Sequence, residues 1–209
     1  EDLSHNTSQP GWAASGWLAY YDRDRDGYVL MDPEGEGSWV LPNQTGESAS
    51  WQPEGAGFVT AEILFESSSL VNVYASSHLM RFDLPASGPG GQPVSQDLTQ
   101  DVALEDTDPV YSPDGAQIAF ARKYLDLTRW TPGRQLWVMS ADGKQAIPLT
   151  DEPLYNHYDF AWSLDGKQIA FVRFDIGAPT NPPELWLVNA DGSNPLELVV
   201  GGYAPAWVP

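Results

Sequence analysis

The chain of 209 residues has no cysteine, only 10 Lys and Arg, three histidines and no long apolar run. Without cysteine there are no disulfides, no thiolate metal sites and no cysteine nucleophile. The few cations stand against 29 Asp and Glu, for a formal charge of -19. That charge repels phosphate backbones and anionic headgroups, so no nucleic-acid partner is expected. No stretch approaches the roughly 18 consecutive apolar residues of a membrane helix, and direct membrane insertion is not expected either. Aromatic residues, by contrast, are plentiful: 9 Trp, 9 Tyr and 7 Phe within a 42% hydrophobic composition. This is enough to bury a substantial core. The chain opens on Glu1, as it would after removal of an export signal, and residues 1–9 read as a flexible polar tether.

Internal similarity organises the remainder. Tyr111 to Arg122 reads YSPDGAQIAFAR and Trp162 to Arg173 reads WSLDGKQIAFVR, identical at eight of twelve positions. QLWVMSADG (Gln135 to Gly143) likewise matches ELWLVNADG (Glu184 to Gly192), and each is followed by an apolar stretch. Weaker copies lie upstream, at PGWAASGWLAYY with GYVLMDPEG, and at ASWQPEG with LMRFDL; PAWVP at Pro205 to Pro209 begins a fifth. The anchor aromatics Trp12, Trp51, Tyr111, Trp162 and Trp207 are thus 39 to 60 residues apart. Short alternating or β-branched runs separated by Asp-Gly and Pro-Glu-Gly signal strands joined by tight hairpins, four per unit. Nothing reads as a long amphipathic helix. One such sheet cannot bury both of its faces, so the expected fold is all-β, a β-propeller of four-stranded antiparallel blades.

The pattern P-x-W-S-P-D-G-x-x-I-A-F, then L-W-V-M-x-x-D-G, then L-T, resembles the TolB-type (PD40, WD40-like) propeller repeat over residues 10–209. The repeats fall at about 10–48, 49–102, 103–156 and 157–209. Four blades are expected, with the C-terminal strand pairing into the first blade to seal the ring; the alternative is part of a larger propeller completed by other sequence or a second chain. The resemblance implies a bacterial protein exported to the periplasm or the extracellular space. It says little about function, because such propellers serve as scaffolds, partner-binding modules and enzyme domains alike.

Two segments carry candidate chemistry. Asp22, Asp24 and Asp26 alternate before Gly27, a spacing that can wrap calcium with oxygen ligands. Pro33 stands where an EF-hand loop needs Glu, and Arg23 and Arg25 offset the charge. The competing reading is a polar hairpin tip, which is common at this place in TolB-like repeats. No other cofactor is implied.

The second segment, RKYLDLTRWTPGR, concentrates Arg122, Lys123, Tyr124, Arg129, Trp130 and Arg134 in an insertion between two strands, and Arg173 opens the corresponding insertion in the next unit. Both loops are expected on one face, together with a long connection from Glu66 to His78. Long loops on a rigid scaffold are where binding concentrates. The cluster could grip an acidic protein partner, with Trp130 as apolar anchor, or simply pair with local acids such as Asp126.

Catalytic constellations are sparse. His5, His78 and His157 are scattered, and no G-x-S-x-G elbow is present. Asn6-Thr-Ser and Asn43-Gln-Thr match a glycosylation pattern too short to carry weight. The expectation is a chain that is not an enzyme but a protein-binding or assembly module of the envelope or extracellular space. The alternatives are the propeller portion of a larger hydrolase or lyase, and a glycan-binding propeller that stacks sugars on Trp130.

Overall fold

A computed structural model describes residues 7–32, 34, 37–67 and 72–208; His5 and Asn6 lie outside them, as do Pro33 and most of the predicted tether. The chain is all-β, as the repeat pattern requires, and its strands fall into four antiparallel groups of four. The first comprises β1 (Thr7–Trp12), β2 (Leu18–Asp22), β3 (Gly27–Met31) and β4 (Ser38–Pro42); the second β5 (Ala49–Trp51), β6 (Gly57–Ser67), β7 (Asn72–Asp83) and β8 (Val94–Asp97). The third comprises β9 (Leu104–Tyr111), β10 (Gln117–Tyr124), β11 (Gln135–Ser140) and β12 (Ile147–Pro148), and the fourth β13 (Tyr155–Trp162), β14 (Gln168–Asp175), β15 (Glu184–Asn189) and β16 (Leu196–Val200). Within each group consecutive strands pair, and a single parallel pairing, Ser77 with Glu105, joins the second group to the third. Residues 7 and 8, predicted as tether, already pair with Asp22 and Tyr21.

Asp-Gly turns recur in the third and fourth repeats, at Asp114-Gly115, Asp142-Gly143, Asp165-Gly166 and Asp191-Gly192. Gly115 and Gly166 both sit at φ 69, the left-handed region that glycine enters without a Cβ clash. Asp114, Asp142 and Asp165 each accept a hydrogen bond from the serine two residues earlier and from the backbone N–H two residues later. For Asp142 the Lys144 ammonium, 2.8 Å away, comes first, and in all three turns these bonds favour the ionised carboxyl and hold it below the ordinary Asp range.

The sheets pack in chain order through one repeated design. Each presents a leading face to the sheet before it and a trailing face to the sheet after it. Between the first and second sheets, Ala19, Tyr21, Tyr28, Leu30 and Leu41 receive Trp51, Phe58 and Phe82. Between second and third, Val59, Ala61, Leu79 and Leu98 receive Tyr111, Ile118, Phe120 and Met139. Between third and fourth, Ala119, Ala121, Leu136, Val138 and Leu149 receive Phe160, Trp162, Ile169, Phe171 and Val188. Small residues on the trailing face make room for the large ones opposite. Each large side chain fully buried this way contributes about 1.5–3 kcal/mol.

The anchor indoles repeat as well. Trp51 Nε1 donates to Gly11 O, and Trp162 Nε1 to Val110 O, both at 3.1 Å. Trp207 Nε1 donates to Ala161 O at the same distance. The C-terminal segment therefore lies on the fourth sheet, residues 205–208 form no strand, and the expected pairing into the first blade is not made: among the described residues β1 pairs with β2 alone. The Trp207 indole finds its acceptor and an apolar wall on the fourth sheet.

Candidate functional site

The connections between second and third strands all leave the same end of the sheets. In the first sheet this connection is a one-turn 3₁₀ helix at Arg23–Arg25. Asp22 is buried, accepts from Asp24 N and pairs with Arg25 Nε at 3.3 Å; Asp26 takes the left-handed φ of 48 that closes the turn. The carboxylates weighed as calcium ligands are thus distributed along a turn, and no group of three or more His, Asp or Glu side chains converges as metal ligands among the described residues. In the second sheet the described residues between Glu66 and His78 are strand rather than loop. β6 and β7 stay paired out to Ser67 with Asn72, so this connection projects as a hairpin.

The third sheet carries the insertion. Arg122 lies near the end of β10, and its guanidinium grips Asp106 of β9 with two bonds of 2.7 Å, both residues buried. Thr99 Oγ1 donates to the same carboxylate at 2.8 Å, and Ser77 Oγ donates to the Asp106 carbonyl. Burial pushes the Asp106 carboxyl up, and Arg122 and Thr99 act against that push. Arg134 closes the insertion by pairing with buried Glu105 at 2.6 Å. Gly133 is obligatory there, because a Cβ would lie 1.9 Å from Tyr155 O. Arg129 pairs with Asp126 and lies 4.2 Å over the Tyr124 ring, while Lys123 Nζ lies 5.3 Å from the Trp130 ring centre. Trp130 and Leu127 face solvent.

Arg173, in the fourth sheet, lies between the rings of Tyr155 and Trp186, 4.2 and 3.9 Å from their centres. It bonds Glu184 Oε2 at 2.8 Å and also Glu152. His157, fully buried, contacts Glu152 through Nε2 at 3.3 Å and the Arg134 carbonyl through Nδ1 at 2.8 Å. Beside this cluster opens a groove of about 480 Å³ walled by Leu149, Phe171, Trp186 and Pro195, with Thr150, Glu152 and Arg173 as its polar edge. An apolar concavity with a few convergent polar groups is the usual form of a ligand site.

The structure therefore brings all seven predicted residues to one end of the third and fourth sheets. Arg122, Arg134 and Arg173 are each engaged by carboxylates of this chain; Lys123, Tyr124, Arg129 and Trp130 form an aromatic and cationic ridge. Sequence reasoning missed Glu152 and Trp186. The match of ELW to QLW, with Trp186 opposite Phe171 on the strand paired to Arg173's own, was the available signal for the tryptophan. Glu152 had none, since it lies in a connecting segment.

Two charged pairs make opposite pH predictions. The contact with His157 leads the causes that hold the Glu152 carboxyl down to about 2, with Arg173 adding to it against desolvation. Its contribution to stability is complete above the ordinary Glu value of 4.5 and is lost as pH falls toward 2. Glu152→Gln should flatten that part of the acid limb in a melting-temperature profile. The hydrogen bond that the His78 ring donates to the Asp97 carboxylate, at 2.8 Å, raises His78 above its ordinary 6.5. This contribution is complete below pH 6.5 and is lost as pH rises through the raised value, so His78→Gln should flatten the alkaline limb.

No family model matches the chain. It is similar to TolB of Acinetobacter baumannii, with a TM-score of 0.61 and 17% identity over 93% of this chain and 43% of that one. The fold is a TolB-like β-propeller. The propeller is also similar to an oligogalacturonate lyase of Vibrio parahaemolyticus, with a TM-score of 0.62 and 15% identity over 91% of this chain and 52% of the other. In sequence, 119 residues are 24% identical to the uncharacterized peptidase YuxL of Bacillus subtilis, covering 56% of this chain and 17% of that protein. The chain spans less than a fifth of that relative and about half of the two solved chains. These likenesses correct the expectation that the chain is not an enzyme: the curated relative is a peptidase and the TolB-like fold also belongs to a lyase. The absence of a motif in one TolB-like propeller is no argument against catalysis, because catalytic groups can stand on other parts of a propeller-bearing enzyme.

Proposed function

We propose that this TolB-like propeller is the substrate-receiving unit of a peptidase-class hydrolase, binding extended peptide segments on its loop face while another unit of the assembled enzyme performs the chemistry. The observation that carries this reading is the 119-residue sequence match to a peptidase. The site is compatible with it. The exposed Trp130 indole, Tyr124 and Lys123 offer apolar and cationic contacts to a peptide, and the groove beside Trp186 is sized for a side chain. Arg122, Arg134 and Arg173 act as positioning residues, locked by Asp106, Glu105 and Glu152 so that the ridge is held rigid. Among the described residues no serine hydroxyl is hydrogen-bonded to His78 or His157, consistent with chemistry carried elsewhere. Protein partners follow from the same surface, and the likeness to TolB supports an envelope or extracellular location, which cell fractionation tests.

The reading predicts that unstructured peptides quench or shift the tryptophan fluorescence of the purified chain. Trp130→Ala combined with Arg129→Ala should lower peptide affinity at least about tenfold, the loss of one well-packed aromatic anchor, with an unchanged melting temperature. Peptide affinity equal to wild type would remove the ridge from the site. Binding of oligosaccharides but not peptides, lost on Trp130→Ala, would replace the substrate class.

A further inference from the structure

We infer that the groove beside Trp186 is a binding site for a free α-amino acid with an apolar side chain, its carboxylate received by the Arg173 guanidinium, its ammonium by Glu152 and Asp151, and its side chain by the groove wall. The inference concerns this groove alone and does not rest on peptide binding at the ridge around Trp130.

A difference between two repeats sets up the site. Arg122 and Arg173 are equivalent in the twelve-residue match, and each stands across from one residue of the first strand of its sheet, Asp106 in the third and His157 in the fourth. Asp106 takes both Nε and Nη2 of Arg122, the full edge of that guanidinium. An imidazole cannot do this, since its neutral form offers a single acceptor nitrogen, and the two ring nitrogens of His157 are turned to the Arg134 carbonyl and to Glu152. Arg173 is held instead by Glu184 at Nε and Glu152 at Nη1, between the rings of Tyr155 and Trp186. Trp186 Nε1 in turn donates to Glu184 Oε2 at 2.8 Å, which fixes the indole. The Arg173 side chain is only 8% exposed, yet Nη2 has no partner among the described residues and is not sealed from solvent. This is the edge through which Arg173 lines the groove.

The groove thus offers three kinds of contact side by side. Nη2 supplies two N–H donors, and a preorganised guanidinium edge suits a carboxylate. Glu152 Oε2 is occupied by Arg173 and His157, whereas Oε1 accepts no bond among the described residues and the side chain is 40% exposed. Asp151 lines the same edge, is exposed, and has no hydrogen-bond or ion-pair partner among the described residues. The wall of Leu149, Phe171, Trp186 and Pro195 supplies the apolar surface. An anion alone would meet two carboxylates here, and a cation alone would meet the guanidinium. A zwitterion places each of its charges beside an opposite one and satisfies both. The groove of about 480 Å³ accommodates a leucine or phenylalanine side chain, whereas a charged side chain would be stripped of water against the apolar wall without a partner. A residue inside a peptide carries neither the ammonium nor the carboxylate, so the site favours the free amino acid over the chain.

Titration calorimetry of the chain with free amino acids, followed in parallel by tryptophan fluorescence, tests this. The expected result is saturable binding of L-leucine and L-phenylalanine. N-acetyl-L-leucine, L-leucinamide and glycine, which lack the ammonium, the carboxylate and the side chain in turn, should each bind at least about tenfold more weakly, the loss of one charge-assisted contact or one buried side chain. Asp151→Lys, at an exposed position, should lower leucine affinity by about the same factor with an unchanged melting temperature, whereas Trp130→Ala combined with Arg129→Ala should leave it as in wild type. No saturable binding of either amino acid at up to about 10 mM would overturn the inference. So would equal affinity for N-acetyl-L-leucine or L-leucinamide, which would make the groove a site for one charge only, and so would binding indifferent to Asp151→Lys or lost with the ridge variant. The ligand series needs no substitution, so it decides the matter even where a variant disturbs the fold. Peptide binding at the ridge is measured with other ligands and other variants, and the two readings fail separately.

Discussion

Replacing Asp106 with Ala should cost about 3–5 kcal/mol and leave the protein largely unfolded at moderate urea, because the Arg122 guanidinium loses its partner in a site from which water is excluded. Asp106 is fully buried and Arg122 nearly so, and the two make parallel bonds of 2.7 Å. Thr99 Oγ1 loses its carboxylate acceptor in the same step, whereas the bond from Ser77 Oγ goes to the Asp106 carbonyl and is kept. The informative control is the double variant Asp106→Leu with Arg122→Met. It removes both charges and keeps the volume, and should recover most of the loss, as replacement of buried pairs by apolar side chains commonly does. Equilibrium urea unfolding measures both. If the double variant were as unstable as the single one, the lost acceptor of Thr99 rather than the stranded charge would be the source of the cost.

Trp162→Ala is the second large effect, at about 3–5 kcal/mol for deleting a large aromatic from a close-packed junction. Trp162 fills the space between the third and fourth sheets among Ala119, Ala121 and Val138, and its indole satisfies the Val110 carbonyl. Trp162→Phe keeps most of the ring and removes the donor, and should cost about 1 kcal/mol, the net worth of one hydrogen bond. The gap between the two variants separates packing from hydrogen bonding at an anchor position. Because each sheet buries its face only against a neighbour, loosening this junction should also shorten the transition at its C-terminal end first, seen as early proteolysis between residues 150 and 165.

Much of this was legible in the chain itself. The twelve-residue match between Tyr111–Arg122 and Trp162–Arg173 located strands and hairpins, since alternation and Asp-Gly turns are encoded over a few residues. The loop cluster from Arg122 to Arg134 was legible as a group because an insertion interrupts a repeat. The fate of its charges was not. Asp106 lies 16 residues from Arg122 and Glu152 lies 21 from Arg173, and among 29 acids nothing local tells a buried partner from a solvated one. The segment from Glu66 to His78 was misread for a similar reason: its five serines and Asn72 suggest a connection, and its strands form only through cross-strand pairing out to Ser67 and Asn72.

By itself, then, the sequence determined the four-stranded repeat, its Asp-Gly turns, the recurring aromatic anchors and the exclusion of thiol chemistry, all of which rest on short-range periodicity, glycine conformation and composition. Only the tertiary structure decided which arginines are held by acids of this chain, that a groove opens beside Trp186, and that Trp207 is fastened to the fourth sheet. Each of these depends on which surfaces meet in space, and a side chain's neighbours across a junction are set by packing between sheets rather than by any pattern along the chain.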